Sequence, residues 1–435
     1  LFFTVSFVPP FRGSTNEDDH RALASERTSF LRKHYASLVK GWFDRAGEHP
    51  SLSLQFFFEM HNYSDIPEVN DAHSLISEVL VANAPRFRYL DVGAGHAKYL
   101  GEFLTGTHSV MLNHLESLVL RLARLENLTP GWIISFHSSP KLRRVSLLSL
   151  TIDWPSLLPW SKLTHLKVTD FISSNTWMML VRGCIDLQYG VFYIKTDGGP
   201  PSGVHPNEHT LSNLTNLRLV FLREYDGQIF SGLHLPSLKT LELHSLIGPS
   251  QYTNSLPSHL HRFLPSLETF SLISIAIPTG DLLDLLQVSL KLVNLEFAST
   301  RSIDHDLLFK RLSYVGTSNP DSDVKVLLPK LEKLAFHVPS AVEEPDREAT
   351  VFPTHAFVEM VRSRWNTEPL FTSTTTTGML SRLSHLTFST CGQDSLDEVK
   401  DLLTPYSNEG LIIALRLIED ERWNFRNRFT DLGHW

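Results

Sequence analysis

Cysteine is nearly absent from this sequence: only Cys184 and Cys391 occur among 435 residues. Two thiols cannot staple a chain of this length, and neither belongs to the Cys-x-x-Cys spacing that holds zinc. Such usage points to a reducing compartment, the cytoplasm or the nucleus. Charge of one sign is also scarce. Lys and Arg number 39 against 47 Asp and Glu, a formal charge of −8, and the two signs are mixed without long runs. That balance speaks against nucleic acid as a partner, because a phosphate-neutralising surface needs a basic excess. No apolar run is long enough to span a bilayer, so no membrane partner is expected. The first residues, Leu1 to Phe11, have the apolar flavour of a secretory leader but no initiating Met or basic start. A truncated start is the expectation there. Neither a Gly-x-Ser-x-Gly elbow nor a Gly-Lys-Ser/Thr phosphate loop occurs.

What is abundant is leucine in a fixed spacing. The pattern L-x-x-L-x-L, with Phe or Val allowed, appears as Phe87/Leu90/Val92, Leu115/Leu118/Leu120, Leu142/Val145/Leu147 and Leu163/Leu166/Val168. It continues through Leu217/Val220/Leu222, Leu238/Leu241/Leu243, Leu267/Phe270/Leu272 and Leu292/Leu295/Phe297, then Leu331/Leu334/Phe336 and Leu383/Leu386/Phe388. A degenerate copy reads Leu187/Gly190/Phe192. Composition alone would give about five chance matches, so context has to decide. Pro85, Pro140, Pro236, Pro265 and Pro329 each stand two residues before a first position, and most steps between copies fall in or near the range of leucine-rich repeats.

The last two apolar positions of each copy are two apart, so on a strand they share one face. Helical spacing separates some strands, as at His73–Leu80, Asp281–Leu286 and Ala356–Val361. One copy orders some 25 residues at roughly 1–2 kcal/mol each, whereas three buried aliphatics return only about 1.5–3 kcal/mol apiece. Copies must therefore stack. The predicted fold is α/β: a leucine-rich-repeat solenoid, a curved horseshoe with a parallel sheet on its concave face and helices or turns on its convex face. The expected organisation is an N-terminal remnant with a lead-in helix (1–50), the array (51–393) and a C-terminal capping segment (394–435).

With those residues in hand, the chain resembles the F-box-like leucine-rich-repeat proteins abundant in basidiomycete fungi. Three stretches carry the likeness: Gly41-Trp42-Phe43-Asp44-Arg45-Ala46-Gly47 through Pro50-Ser51-Leu52-Ser53-Leu54, Met360-Val361-Arg362-Ser363-Arg364-Trp365, and Glu409-Gly410-Leu411-Ile412-Ile413. The resemblance implies an intracellular protein-interaction module that recognises a substrate for an SCF-type ubiquitin ligase. The family's F-box opens with Leu-Pro upstream of the tryptophan. Here the first Leu-Pro is Leu158-Pro159, inside the array. Contact with the ligase adaptor is thus expected only if an upstream F-box exists, and no residue here is assigned to it.

On strands, residues flanking the central aliphatic face away from the core. They include Arg144 and Ser146, His165 and Lys167, Tyr189 and Val191, Leu219 and Phe221, Thr240 and Glu242, and Lys333 and Ala335. The expected partner-binding patch is Tyr189, Tyr193, Leu219, Phe221, Arg223 and Glu242, because aromatics and Arg concentrate at interface hot spots. The long insertion that begins at Asp197-Gly198-Gly199-Pro200-Pro201 is the alternative cover for it. No catalytic residue, cofactor or metal is expected.

One rival is Tyr89-Leu90-Asp91-Val92-Gly93-Ala94-Gly95-His96-Ala97, which looks like the first motif of S-adenosylmethionine-dependent methyltransferases. A repeat scaffold unrelated to ubiquitin is the other. His205-Pro206-Asn207-Glu208-His209 and Asp304-His305-Asp306 invite a metal reading, but read better as surface segments. Glu343-Glu344 and Thr372–Gly378 read as solvated loops.

Overall fold

In the computed structural model the described residues are 2–7, 34, 37–49, 51–58, 78–94, 112–122, 136–137, 139–148, 158–195, 209–222, 227–230, 232–246, 259–298, 303–314, 326–338, 352–366 and 380–418. Each copy begins with a tight turn that closes on its first leucine. Leu115, Leu187, Leu238, Leu267 and Leu331 all bond through their amide to the carbonyl three residues back. The prolines at 236, 265 and 329 occupy the second position of these turns, where a fixed φ near −65° is already correct. The residue that opens the turn is also apolar and buried in several copies, as Leu235, Leu264, Leu328 and Cys184.

Beyond the turn the chain extends, and the copies are held in step by a shared acceptor. The Thr164 and His165 amides both reach the Arg143 carbonyl, at 2.9 and 3.0 Å, and the Gln188 and Tyr189 amides both reach that of Thr164. The same arrangement recurs from Thr215 to Glu332. A fixed step between copies follows.

The chain forms two compact units, Leu1–Asp170 with Leu180–Gly190 and Phe171–Met179 with Val191–Trp435. In the first, strands β1 (Phe2–Phe7), β2 (Leu52–Phe58), β3 (Phe87–Ala94), β4 (Ser117–Leu122), β5 (Arg144–Leu148) and β6 (His165–Ser173, to Asp170 in this unit) lie parallel and in chain order. Leu90, Leu118, Val145 and Leu166 form one buried row, and Val92, Leu120, Leu147 and Val168 the next. Residues 37–45 are helical ahead of β2. Phe43 packs 6.1 Å from Phe87, and Arg86 donates to the Gly47 and His49 carbonyls. Gly47 has φ +54°, the left-handed turn that glycine takes without penalty.

The second unit takes up β7 (Tyr189–Lys195) from Val191 and continues with β9 (Asn216–Phe221), β11 (Thr240–Ser245), β12 (Thr269–Ile273), β13 (Asn294–Ala298), β14 (Lys333–Val338), β15 (His385–Thr390) and β16 (Ile412–Leu417), again parallel and in chain order. Two short strands, β8 (His209–Thr210) and β10 (Leu233–His234), pair on their own. Helix α1 (Ser174–Gly183) sets Trp177 against Phe192 and Phe230. Helices α2 (Thr279–Val288), α3 (His305–Leu312), α4 (Thr354–Trp365) and α5 (Gln393–Asn408) sit between later strands, and α3, α4 and α5 pack in succession. Their apolar residues recur at helical spacing, as Leu282, Leu285 and Leu286 do in α2. Phe297, Phe336 and Phe388 fill the sheet side of this core, with Phe309 and Phe357 facing them from α3 and α4. The fold is the α/β leucine-rich-repeat array that the spacing predicts. Of the expected helices, those around 281–286 and 356–361 are present, and residues 73–77 lie outside the described residues.

Two motifs of the resemblance meet in this unit. Arg364 is fully buried and donates to the carbonyls of Leu312 (2.6 Å), Leu327 (2.7 Å) and Leu328 (3.2 Å), with Tyr314 stacked beneath it at 4.4 Å. Burial pulls its guanidinium down to about 10, opposed by the Tyr314 hydroxyl, so the group stays charged at neutral pH. Next to it, Trp365 Nε1 donates to Glu409 at 2.8 Å.

One register differs from expectation. In β9, Leu217 pairs with Leu241 and Leu219 with Leu243, and Leu214 closes the turn before the strand. The copy is therefore Leu214/Leu217/Leu219, three residues earlier than Leu217/Val220/Leu222. Both spacings satisfy L-x-x-L-x-L; only the earlier one places the turn closure and the Thr215 acceptor correctly. Replacing Leu219 with Ala should therefore cost about 2–5 kcal/mol of stability, and Leu222→Ala less than about 1 kcal/mol. Urea titration checks this, and the reverse ranking would restore the later register. Arg364→Met strips three buried carbonyls of a charged donor, and a loss of roughly 3 kcal/mol is expected. An unshifted urea midpoint would refute that bracket.

Candidate functional site

The third and fifth places of each copy put their side chains on the sheet face opposite the leucines. In the first unit this face is organised by Asp91 on β3, whose side chain is 1% exposed. Arg121 of β4 grips it with Nε at 3.1 Å and Nη2 at 3.0 Å, and Gln55 Nε2 of β2 adds a bond at 3.1 Å. A buried carboxylate requires such partners. The Tyr89 hydroxyl donates to it at 3.4 Å, and burial, then the Asp91 charge, push that phenol up to about 12. Further along, the His165 ring stacks on Tyr189 with centroids 6.0 Å apart and 19° between planes. Thr164 Oγ1 lies 2.9 Å from its Nδ1. Burial, and secondarily Arg144 on the neighbouring strand, lower the imidazole's pKa.

In the second unit the face carries two cross-strand clasps. Arg218 of β9 pairs with Glu242 of β11, and His244 Nε2 stands 3.7 Å from the same carboxylate. Glu296 of β13 accepts from Ser271 Oγ of β12 at 3.0 Å and meets His337 Nε2 of β14 at 3.0 Å. The carboxylate lies between hydroxyl and imidazole. The arrangement braces three strands; it is not a relay in which histidine draws the proton from serine. Phe171 and Tyr193 make a T-shaped pair at 5.6 Å, and burial pushes the Tyr193 phenol up to about 12, with Arg218 opposing.

Of the expected patch, Tyr189 is half-buried on the face and Glu242 is on it, clasped to Arg218. Tyr193 is buried, and Leu219 and Phe221 are fully so. The register shift explains the burial of Leu219 and Phe221: Asn216 and Arg218 take the face positions of β9, and Leu219 joins the core. Within the second unit, the described Tyr193, Leu219 and Phe221 therefore present no exposed apolar-aromatic side chain. Arg223 lies outside the described residues, as do Asp197–Pro201, Glu343-Glu344, Thr372–Gly378 and 205–208. Asp304 is exposed, as a surface segment requires, and caps the following helix, its carboxylate accepting from the Leu307 amide at 3.0 Å. The glycine-motif segment Tyr89–Ala94 is β3 itself, with Gly93 paired to Arg121; Gly95 to Ala97 lie outside the described residues.

Sequence reasoning missed Arg218, His244, Ser271, Glu296 and His337. The signal for Arg218 was present as Leu211-Ser212-Asn213-Leu214, which repeats the spacing of Leu235-Pro236-Ser237-Leu238 and marks the turn. Among the described residues no group of three or more His, Cys, Asp or Glu is placed to hold a metal ion, and no helix is long and apolar enough to cross a membrane. No protein-family model matches the chain, and no curated protein matches it.

The His165 environment yields a direct test. Its ring should titrate below the ordinary 6.5, because burial disfavours the charged form. The folded state thus loses stability as pH falls below that value, since the unfolded chain takes the proton more readily. Arg144→Gln should move the NMR titration midpoint upward only part of the way, as burial is the larger cause. Full return to the ordinary value would make Arg144 the dominant cause.

Proposed function

We propose that this chain recognises a protein partner across its sheet face, as a substrate-binding array of the F-box-like leucine-rich-repeat class serving a ubiquitin ligase. The observation that supports this most is the make-up of the face in the second unit. Asn216, Thr240, Thr269, Asn294 and His385 are half-exposed and Lys333 is exposed, side by side on successive strands. Next to them, the Arg218–Glu242 and Ser271–Glu296–His337 clasps hold the fifth-place Arg218, Glu242, Ser271 and Glu296 side chains in fixed positions. A varied polar surface on a rigid sheet loses little conformational freedom on docking, which favours selective recognition of one partner. The likeness at Ser363-Arg364-Trp365 and Glu409-Gly410-Leu411 supports the family reading. Adaptor binding is part of this reading only if an upstream F-box exists, and no residue here is assigned to it.

Affinity purification with the full chain as bait, set against an Asn294→Arg/Lys333→Glu variant, tests the reading. The expected result is one dominant protein enriched on the native chain and reduced about ten-fold on the variant, with stability lowered by about 1 kcal/mol through loss of the Asn294 Nδ2 bond to Thr269 Oγ1. Equal capture by both would move recognition off this face. Saturable heat on titration with S-adenosylmethionine would instead favour the cofactor-binding alternative.

A further inference from the structure

Charge between residues 84 and 170 runs against the balance of the whole chain. This stretch holds ten Lys and Arg against six Asp and Glu, whereas the full sequence carries −8. The excess gathers where β5 begins: Lys141, Arg143 and Arg144 are all exposed. Arg143 Nη1 donates to the Pro140 and Leu142 carbonyls, each at 3.0 Å, which fixes its guanidinium without neutralising it. Among the described residues, no carboxylate pairs with Arg143 or Arg144. Directly across the ladder from Arg144 stands His165, stacked on Tyr189. The stacked pair thus has exposed Arg144 beside it, with exposed Lys141 and Arg143 in the turn just before.

We infer that the turn into β5 docks an acidic segment of a protein partner, with Asp or Glu carboxylates on the exposed Lys141, Arg143 and Arg144. This rests on the protein-recognition reading above and names the chemistry of one part of the partner. Paired guanidinium groups suit carboxylates because each can give two parallel N–H bonds. Nucleic acid fits less well. A short peptide senses the patch within a Debye length of about 8 Å, whereas a long polyanion also meets the net negative charge of the rest of the chain. His165 is biased toward its neutral form, so the fixed cations carry the attraction and binding should vary little between neutral and mildly alkaline pH.

The test is fluorescence anisotropy of a labelled octaglutamate peptide titrated with the full chain. Saturable binding that weakens with added salt is expected, with no binding of octaserine. Lys141→Ser/Arg143→Ser/Arg144→Ser should weaken binding about ten-fold. Lys239→Ser/Lys310→Ser, which removes exposed cations of the second unit, should leave it unchanged. A single Arg144→Glu gives the same readout should the triple variant fail to fold by circular dichroism. Unchanged binding by the β5 variants, no binding by the native chain, or displacement by short single-stranded RNA more readily than by unlabelled octaglutamate would each overturn the proposal. A native chain that captures its partner through Asn294 and Lys333 yet ignores octaglutamate would sink this site alone. One that captures neither would sink the recognition reading as well.

Discussion

Everything in this molecule depends on one carbonyl per copy. The second-place carbonyl receives two amides from the following copy, and the turn just before it closes on a leucine. Together they set the register of each strand against the last. A parallel pair slipped by one residue would send its whole apolar set to the wrong side. With the register fixed, leucines and phenylalanines at the fourth and sixth places fall into continuous buried rows. The intervening side chains are left to vary, and they do: acids, bases, amides and hydroxyls alternate across the face.

Much of this was legible in the amino-acid pattern, for a physical reason. A leucine needed at a fixed interval leaves a periodic trace, and proline in a turn leaves another, so the parallel α/β array followed from spacing. The trace fails where two phases fit equally. Around Leu214 to Leu222 a local count cannot choose between phases, and the choice inverted the roles of Leu219 and Arg218. Cross-strand partners are harder still. Ser271, Glu296 and His337 lie 25 and 41 residues apart in sequence terms, and nothing in one copy announces what the next will offer. Only alignment of the copies in the correct phase brings them together.

The array's polar ties include two kinds. Asp91, buried, and Glu296, half-buried, sit on the sheet face, where they tie neighbouring strands laterally. Arg364 lies under the helices and ties chain segments on either side of 315–325 through the Leu312, Leu327 and Leu328 carbonyls. That difference explains why a short sequence motif such as Ser363-Arg364-Trp365 can mark a fold without marking a binding surface. Its residues are spent on backbone carbonyls, on the Tyr314 amide and on Glu409.

Cys184 opens one of the turns that close on leucine, and burial pushes its thiol up to about 12. Thiolate is the species that alkylates and oxidises, so at neutral pH this sulfur is chemically silent and serves as a small apolar wedge. Cys391, just past β15, is the more accessible of the two. The native chain therefore brings its own single labelling position: a maleimide dye would report from the end of β15 without any cysteine having to be removed first.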